Sequence, residues 1–162
     1  MMKRFLILIF VVVLLGCSTR NESKFSEKAL NDIVFSLNGD QLAIQEVLEK
    51  YKGKKIFIDV WATWCGDCLK GLPALKKLQI QHPEVVFLFL SIDDSISDLK
   101  AGIQKYNIEG EHYLLPEKWD ADFSEFLGLS WIPRYLIVDE SGGIKVFNET
   151  KPNSSDILEA LE

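Results

Sequence analysis

Two cysteines three residues apart, in Trp64-Cys65-Gly66-Asp67-Cys68, stand where an apolar run, Ile56 to Trp61, gives way to a segment with helical spacing. Cysteines so placed on a first helical turn hold their Cβ atoms about 5–6 Å apart, so small side-chain movements close or open a disulfide. The chemistry this allows is thiol–disulfide exchange. A helix beginning at Cys65 aims its unpaired N–H groups and the positive end of its dipole at that sulfur, lowering the thiol from an ordinary pKa of about 8.5. Cys65 is the candidate nucleophile, and Cys68, one turn further in, the candidate resolving thiol. Asp67 lies between them, where its charge opposes thiolate formation or is a surface charge of little effect.

These side chains need a scaffold, and the surrounding pattern predicts one. Ile33 to Leu37 alternates weakly and meets a turn at Asn38-Gly39-Asp40, after which Ala43 to Tyr51 has helical spacing. Gly66 to Ile80 carries leucines at 69, 72, 75 and 78, a helical pattern that Pro73 should kink before His82-Pro83 ends it. Val85 to Ile92 is a continuous β-rich run of the kind found in buried parallel strands, and a helical stretch follows to Tyr106. Further elements are a short strand at Tyr113 to Leu115 and a short helix from Trp119 to Leu127, stopped by Gly128. Next comes a hairpin of Arg134 to Val138 and Ile144 to Phe147 around Ser141-Gly142-Gly143. Asp156 to Leu161 forms a last helix capped by Ser154 or Ser155. Strand–helix alternation closed by a hairpin and a helix implies an α/β fold, a mixed central sheet with helices on both faces.

The first residues have another character. Lys3 and Arg4 precede the uncharged apolar stretch Phe5 to Leu15, about 11 residues against the roughly 20 that span a bilayer as a helix. The stretch ends in Leu14-Leu15-Gly16-Cys17, so residues 1–16 read as a cleaved targeting segment. Leu14 to Cys17 resembles the lipobox of bacterial lipoproteins, which implies that Cys17 becomes the lipidated first residue. A lipidated Cys17 leaves Cys65 and Cys68 as the free thiols, in an exported compartment that tolerates oxidised cysteine. By the sorting rule of well-studied Gram-negative lipoproteins, Ser18 implies the outer membrane, with the protein facing the periplasm. Residues 17–28 read as lipidated cysteine and flexible tether, and residues 29–162 as one domain. The chain has 18 basic and 24 acidic residues, and removing residues 1–16 takes away two bases and no acid, which argues against nucleic acid as a partner.

The order of elements, with the cysteine motif after a strand and Trp131-Ile132-Pro133 before a hairpin, resembles the thioredoxin fold. The run Phe57-Ile58-Asp59-Val60-Trp61-Ala62-Thr63-Trp64-Cys65, followed by Pro73 and Ile132-Pro133, is similar more narrowly to TlpA-like or ResA-like extracytoplasmic thiol–disulfide oxidoreductases. The long stretch between Asp93 and Pro133 matches the insertion of that branch. The resemblance implies that Asp59, six residues before Cys65, is the buried aspartate that moves a proton for the inner cysteine; read alone, it is that or a strand-end acid facing water. It implies that Pro133 is the cis proline whose preceding residue, Ile132, offers backbone to a substrate chain, with Trp64, Gly66 and Asp67 on the same rim. It further implies disulfide-bearing exported proteins as substrates and a membrane electron donor if the protein reduces them. Trp61, Trp64, Trp119 and Trp131 read as core and rim and not as a cofactor box, so no cofactor is expected. Gly71 departs from a glutamate frequent in TlpA-like relatives, and Arg134 from the threonine that often follows the proline. Trp131 either borders the groove or fills core.

Two other classes compete. Two thiolates and a histidine could handle copper, but only His82 and His112 exist and His82 falls at a helix end, so no metal site is expected. A lipoprotein with vestigial cysteines, serving binding alone, is the second, and joint retention of Asp59, both cysteines and Pro133 weighs against it.

Overall fold

The computed structural model describes residues 22–162. The targeting segment, the lipobox and Cys17 lie outside the described residues. Six helices and seven strands follow in the order α1 (Glu27–Asn31), β1 (Ile33–Ser36), β2 (Gln41–Ala43), α2 (Ile44–Glu49), β3 (Ile56–Trp61), α3 (Gly66–Gln81), β4 (Val86–Ser91), α4 (Ile96–Tyr106), β5 (Glu111–Leu114), α5 (Asp122–Leu127), β6 (Arg134–Val138), β7 (Ile144–Glu149) and α6 (Ser155–Leu161). A short 3-10 turn at Lys118–Asp120 precedes α5. One sheet holds all seven strands in the order β2-β1-β5-β4-β3-β6-β7. β3, β4 and β5 are parallel, and the remaining pairs are antiparallel.

Every residue of β3 is buried, as expected of a central parallel strand. Its alternate side chains separate two faces. Phe57 stacks on Phe87 and packs on Tyr135, Trp61 meets Phe89 edge-on, and Phe89 stacks on His112. This aromatic face lies under α3, because the Tyr135 hydroxyl reaches Gly71 of that helix. α4 lies beside α3: Lys76 Nζ donates to the Tyr106 carbonyl at 2.9 Å and Gln79 Nε2 to that of Glu109 at 2.7 Å. Ile58, Val60, Leu88, Leu90 and Leu136, which point the other way, are equally buried, so the sheet is covered on both faces.

Helix ends follow their sequence signals. Ser26, Ser95 and Ser154 accept from the N–H three residues on, and Asn107 and Gly128 stop α4 and α5 in left-handed conformation. α3 continues through Pro73 as one 16-residue helix. β2 was not expected: the Gly39 turn returns the chain directly onto β1, pairing Leu42 with Val34, before α2 starts. Residues 23–28, which the sequence pattern assigns to a flexible tether, include ordered contacts. Phe25 packs on Phe123 and Phe126, Ser23 accepts from Ile144 N–H at 2.9 Å, and α1 begins at Glu27, because an aromatic side chain with a ready pocket is worth ordering.

α4 also presses on the loop that follows β3. A Cβ built on Gly102 falls 2.1 Å from Thr63 Cγ2 and 2.7 Å from Thr63 Cβ, so this position has no room for a side chain. Gly102→Ala should therefore destabilise the protein by about 1–3 kcal/mol, read as a lowered urea midpoint, and combination with Thr63→Ala should recover part of the loss. Equal midpoints for wild type and Gly102→Ala would disprove this close approach.

Candidate active site

The site is built where β3 ends. Cys65 N–H donates to the Ala62 carbonyl at 3.1 Å, closing a turn, and Cys65 then caps α3, its sulfur accepting from the Cys68 N–H at 3.1 Å. The two cysteines are joined as a disulfide with Cα atoms 5.3 Å apart. The helix N-terminus thus directs partial positive charge at Cys65, the sulfur that stabilises as thiolate once the bond is reduced. Both sulfurs are nearly enclosed, Cys68 the more completely at 1% exposure against 6% for Cys65. Asp67 is exposed and paired with Lys70 at 2.7 Å, which offsets its charge locally.

Facing the pair is the loop before β6. The Ile132–Pro133 bond is cis, and the Ile132 carbonyl oxygen lies 3.6 Å from Cys65 Sγ. Trp64 is 58% exposed and Trp131 47%, so both stand on the rim, and of the sequence alternatives for Trp131 the core position is excluded. Trp61 is wholly buried. The structure therefore brings together Cys65, Cys68, Trp64, Gly66, Asp67, Ile132 and Pro133.

Asp59 sits in the middle of β3, opposite Phe89 and Tyr135 on the neighbouring strands, on the face that α3 covers. It is 2% exposed, which excludes a strand-end acid facing water. Among the described residues its Oδ1 has no hydrogen-bond partner, nor has the Tyr135 hydroxyl. Burial pushes the Asp59 carboxyl well above the usual carboxylate range and makes its ionised form an unusually strong base, suited to accepting a proton from a thiol.

Asp93, the residue directly after the Val85 to Ile92 run, is not among the site residues expected from the sequence. It is buried, and it accepts from Thr63 N–H at 3.1 Å, from Thr63 Oγ1 at 2.7 Å and from Ser91 Oγ at 2.7 Å. This carboxylate positions the loop between β3 and Cys65. The available signal was its place, an acid at the carboxyl end of a buried parallel strand, where sites collect in α/β sheets. His112 is held instead by the sheet: it stacks on Phe89, bonds the Ile108 carbonyl through Nε2 at 3.2 Å, and burial lowers its pKa. His82 ends α3 at the far end from the cysteines. Among the described residues no group of three His, Cys, Asp or Glu could hold a metal ion.

The raised Asp59 carboxyl has a measurable consequence for stability. The folded protein retains the proton while the unfolded chain releases it near pH 3.9, so stability falls as pH rises from there through the folded value, by at most about 1.4 kcal/mol per unit. Asp59→Asn should thus be more stable than wild type, by a margin that widens between pH 5 and pH 8 in urea unfolding. A margin independent of pH would show that Asp59 is ionised when folded.

Comparison with known proteins places this geometry. The chain is 26% identical over 141 residues to the thiol-disulfide oxidoreductase ResA of Bacillus thuringiensis subsp. konkukian, covering 84% of this chain and 75% of that one. It is 28% identical over 114 residues to the thioredoxin-like protein YneN of Bacillus subtilis, covering 68% of this chain and 62% of the relative. Among solved structures, a Bacteroides vulgatus protein assigned as a thiol-disulfide oxidoreductase superposes with a TM-score of 0.68 at 29% identity, covering 85% of this chain and 88% of the other. The fold is thioredoxin-like. The family model described as Redoxin matches residues 23–161. Since that match takes in every element from α1 to α6, and not the cysteine motif alone, the chain belongs to the Redoxin family.

Proposed function

We propose that this protein is a thiol–disulfide oxidoreductase that reduces disulfides in exported proteins. The observation that carries the reading is the placement of Cys65, which caps α3, bonds the N–H of its partner Cys68 and faces the Ile132 carbonyl across the cis-proline loop. In the reduced protein the Cys65 thiolate attacks one sulfur of a client disulfide. A Cys65–client bond forms, and the second client sulfur leaves as a thiolate that takes up a proton. Asp59, in its ionised form, accepts the Cys68 proton, and the Cys68 sulfur attacks Cys65, releasing the client's first sulfur. The client has gained two electrons, and the Cys65–Cys68 disulfide has formed.

Reduction, rather than oxidation, is supported by the sparse polar surroundings of the Cys65 sulfur. In the disulfide, among the described residues, it accepts one backbone N–H and no hydrogen bond from lysine, arginine or histidine. Strong oxidants of this chemistry owe their potential to a heavily stabilised reduced form. Electrons returning to Cys65–Cys68 then come from a membrane donor. The reading extends to location through the sequence alone: export by residues 1–16, lipid attachment at Cys17, and a position on the outer membrane facing the periplasm. No helix among the described residues is long and apolar enough to cross a membrane.

The deciding measurement is the equilibrium potential of the Cys65/Cys68 pair against dithiothreitol, read by thiol labelling. A value near the ~−270 mV of thioredoxin is expected, whereas one near ~−120 mV would reverse the direction of electron flow. Cys68→Ser should trap clients as stable mixed disulfides on Cys65, seen as reductant-sensitive adducts in non-reducing gels. Absence of any adduct from the variant under both oxidising and reducing growth would overturn the proposed mechanism.

A further inference from the structure

Arg134 opens β6 directly after the cis proline and brings a charge to a place where the exchange chemistry itself needs none. The residue is 6% exposed, its guanidinium carbon lies 4.5 Å from the centre of the Trp131 ring, and Nη1 makes only a long 3.5 Å bond to the Pro133 carbonyl. Its Nε has no hydrogen-bond partner among the described residues. Among the described residues no carboxylate forms an ion pair with it. Buried charges are ordinarily paired, and an aromatic face replaces only part of the hydration a guanidinium gives up. The guanidinium stacks on Trp131 with bonding capacity unused.

Its surroundings connect it to substrate. Trp131 belongs to the exposed rim, and Ile132, between Trp131 and Pro133, places its carbonyl 3.6 Å from Cys65 Sγ. A client segment lying strand-like along Ile132, its target cysteine at Cys65, brings the residues next to that cysteine alongside Trp131 and Arg134. A planar guanidinium fork matches a carboxylate in two parallel bonds. The chain as a whole carries a net charge of −6, so its general field does not attract acidic clients. Recognition of an acid must be local.

We propose that Arg134, stacked on Trp131, is a specificity subsite for an aspartate or glutamate side chain within one or two residues of the client's target cysteine. The proposal rests on the exchange activity described above. It is tested with two disulfide-bonded peptides that differ only by Glu or Gln beside the target cysteine, by measuring the second-order rate at which each oxidises the reduced protein. The wild-type protein should react about tenfold faster with the Glu peptide, with the ratio shrinking at high salt. Arg134→Gln should bring the ratio close to one. Should that variant not fold, Arg134→Lys, which keeps the charge without the fork, should still lower the ratio. Equal rates in wild type, or a ratio that survives in the variants, would overturn the subsite. Failure of both peptides to react at all is a different result, and it would remove the exchange activity itself.

Discussion

The carboxylate of Asp93 receives Thr63 twice, through the backbone N–H and the hydroxyl, and the position of both cysteines depends on those two bonds. β3 ends at Trp61 and Cys65 follows four residues later, so few free torsions separate the sheet from the reactive sulfur. Thr63 also abuts Gly102, and Ile92 N–H bonds the Trp61 carbonyl at 2.9 Å. The loop is thus held from β4 and α4 at once. A buried carboxylate is costly unless its lone pairs are occupied, and Thr63 and Ser91 occupy them here. The same satisfied network that makes Asp93 tolerable makes the loop rigid.

The two faces of the sheet divide the labour. One is aliphatic through Ile58, Val60, Leu88, Leu90 and Leu136. The other, under α3, mixes aromatic rings with buried polar atoms that have no partner: Asp59 Oδ1, Trp61 Nε1, His112 Nδ1 and the Tyr135 hydroxyl. Such atoms cost stability, and their concentration on the face beneath the reactive helix places that cost where proton movement is useful. Gly71 is part of this arrangement, because a Cβ there would sit 2.7 Å from the Tyr135 hydroxyl.

Much of this was legible in the sequence. The cysteines, Asp59 and the Ile132-Pro133 pair carry their chemistry in residue type and spacing, and β3 and β4 declare themselves as continuous apolar runs. What stayed hidden depends on contacts between distant segments. β2 is three residues long, too short for periodicity to mark, and exists because β1 offers an edge for it. Asp93 acts through Thr63, thirty residues away. Arg134 read as a departure from a family habit, and only the placement of Trp131 against its guanidinium and the lack of an acid partner show a charge left uncompensated.

The docking of Phe25 onto α5 bears on how far the reactive sulfur can travel. With Ser23 already bonded to the sheet, a lipid on Cys17 would be joined to the folded body by six residues instead of eleven. At roughly 3.5 Å per residue the longest possible separation drops from nearly 40 Å to about 20 Å. A body moored in that way would not search the compartment. It would patrol a shallow layer above the bilayer, and its clients would be those whose disulfides pass through that layer.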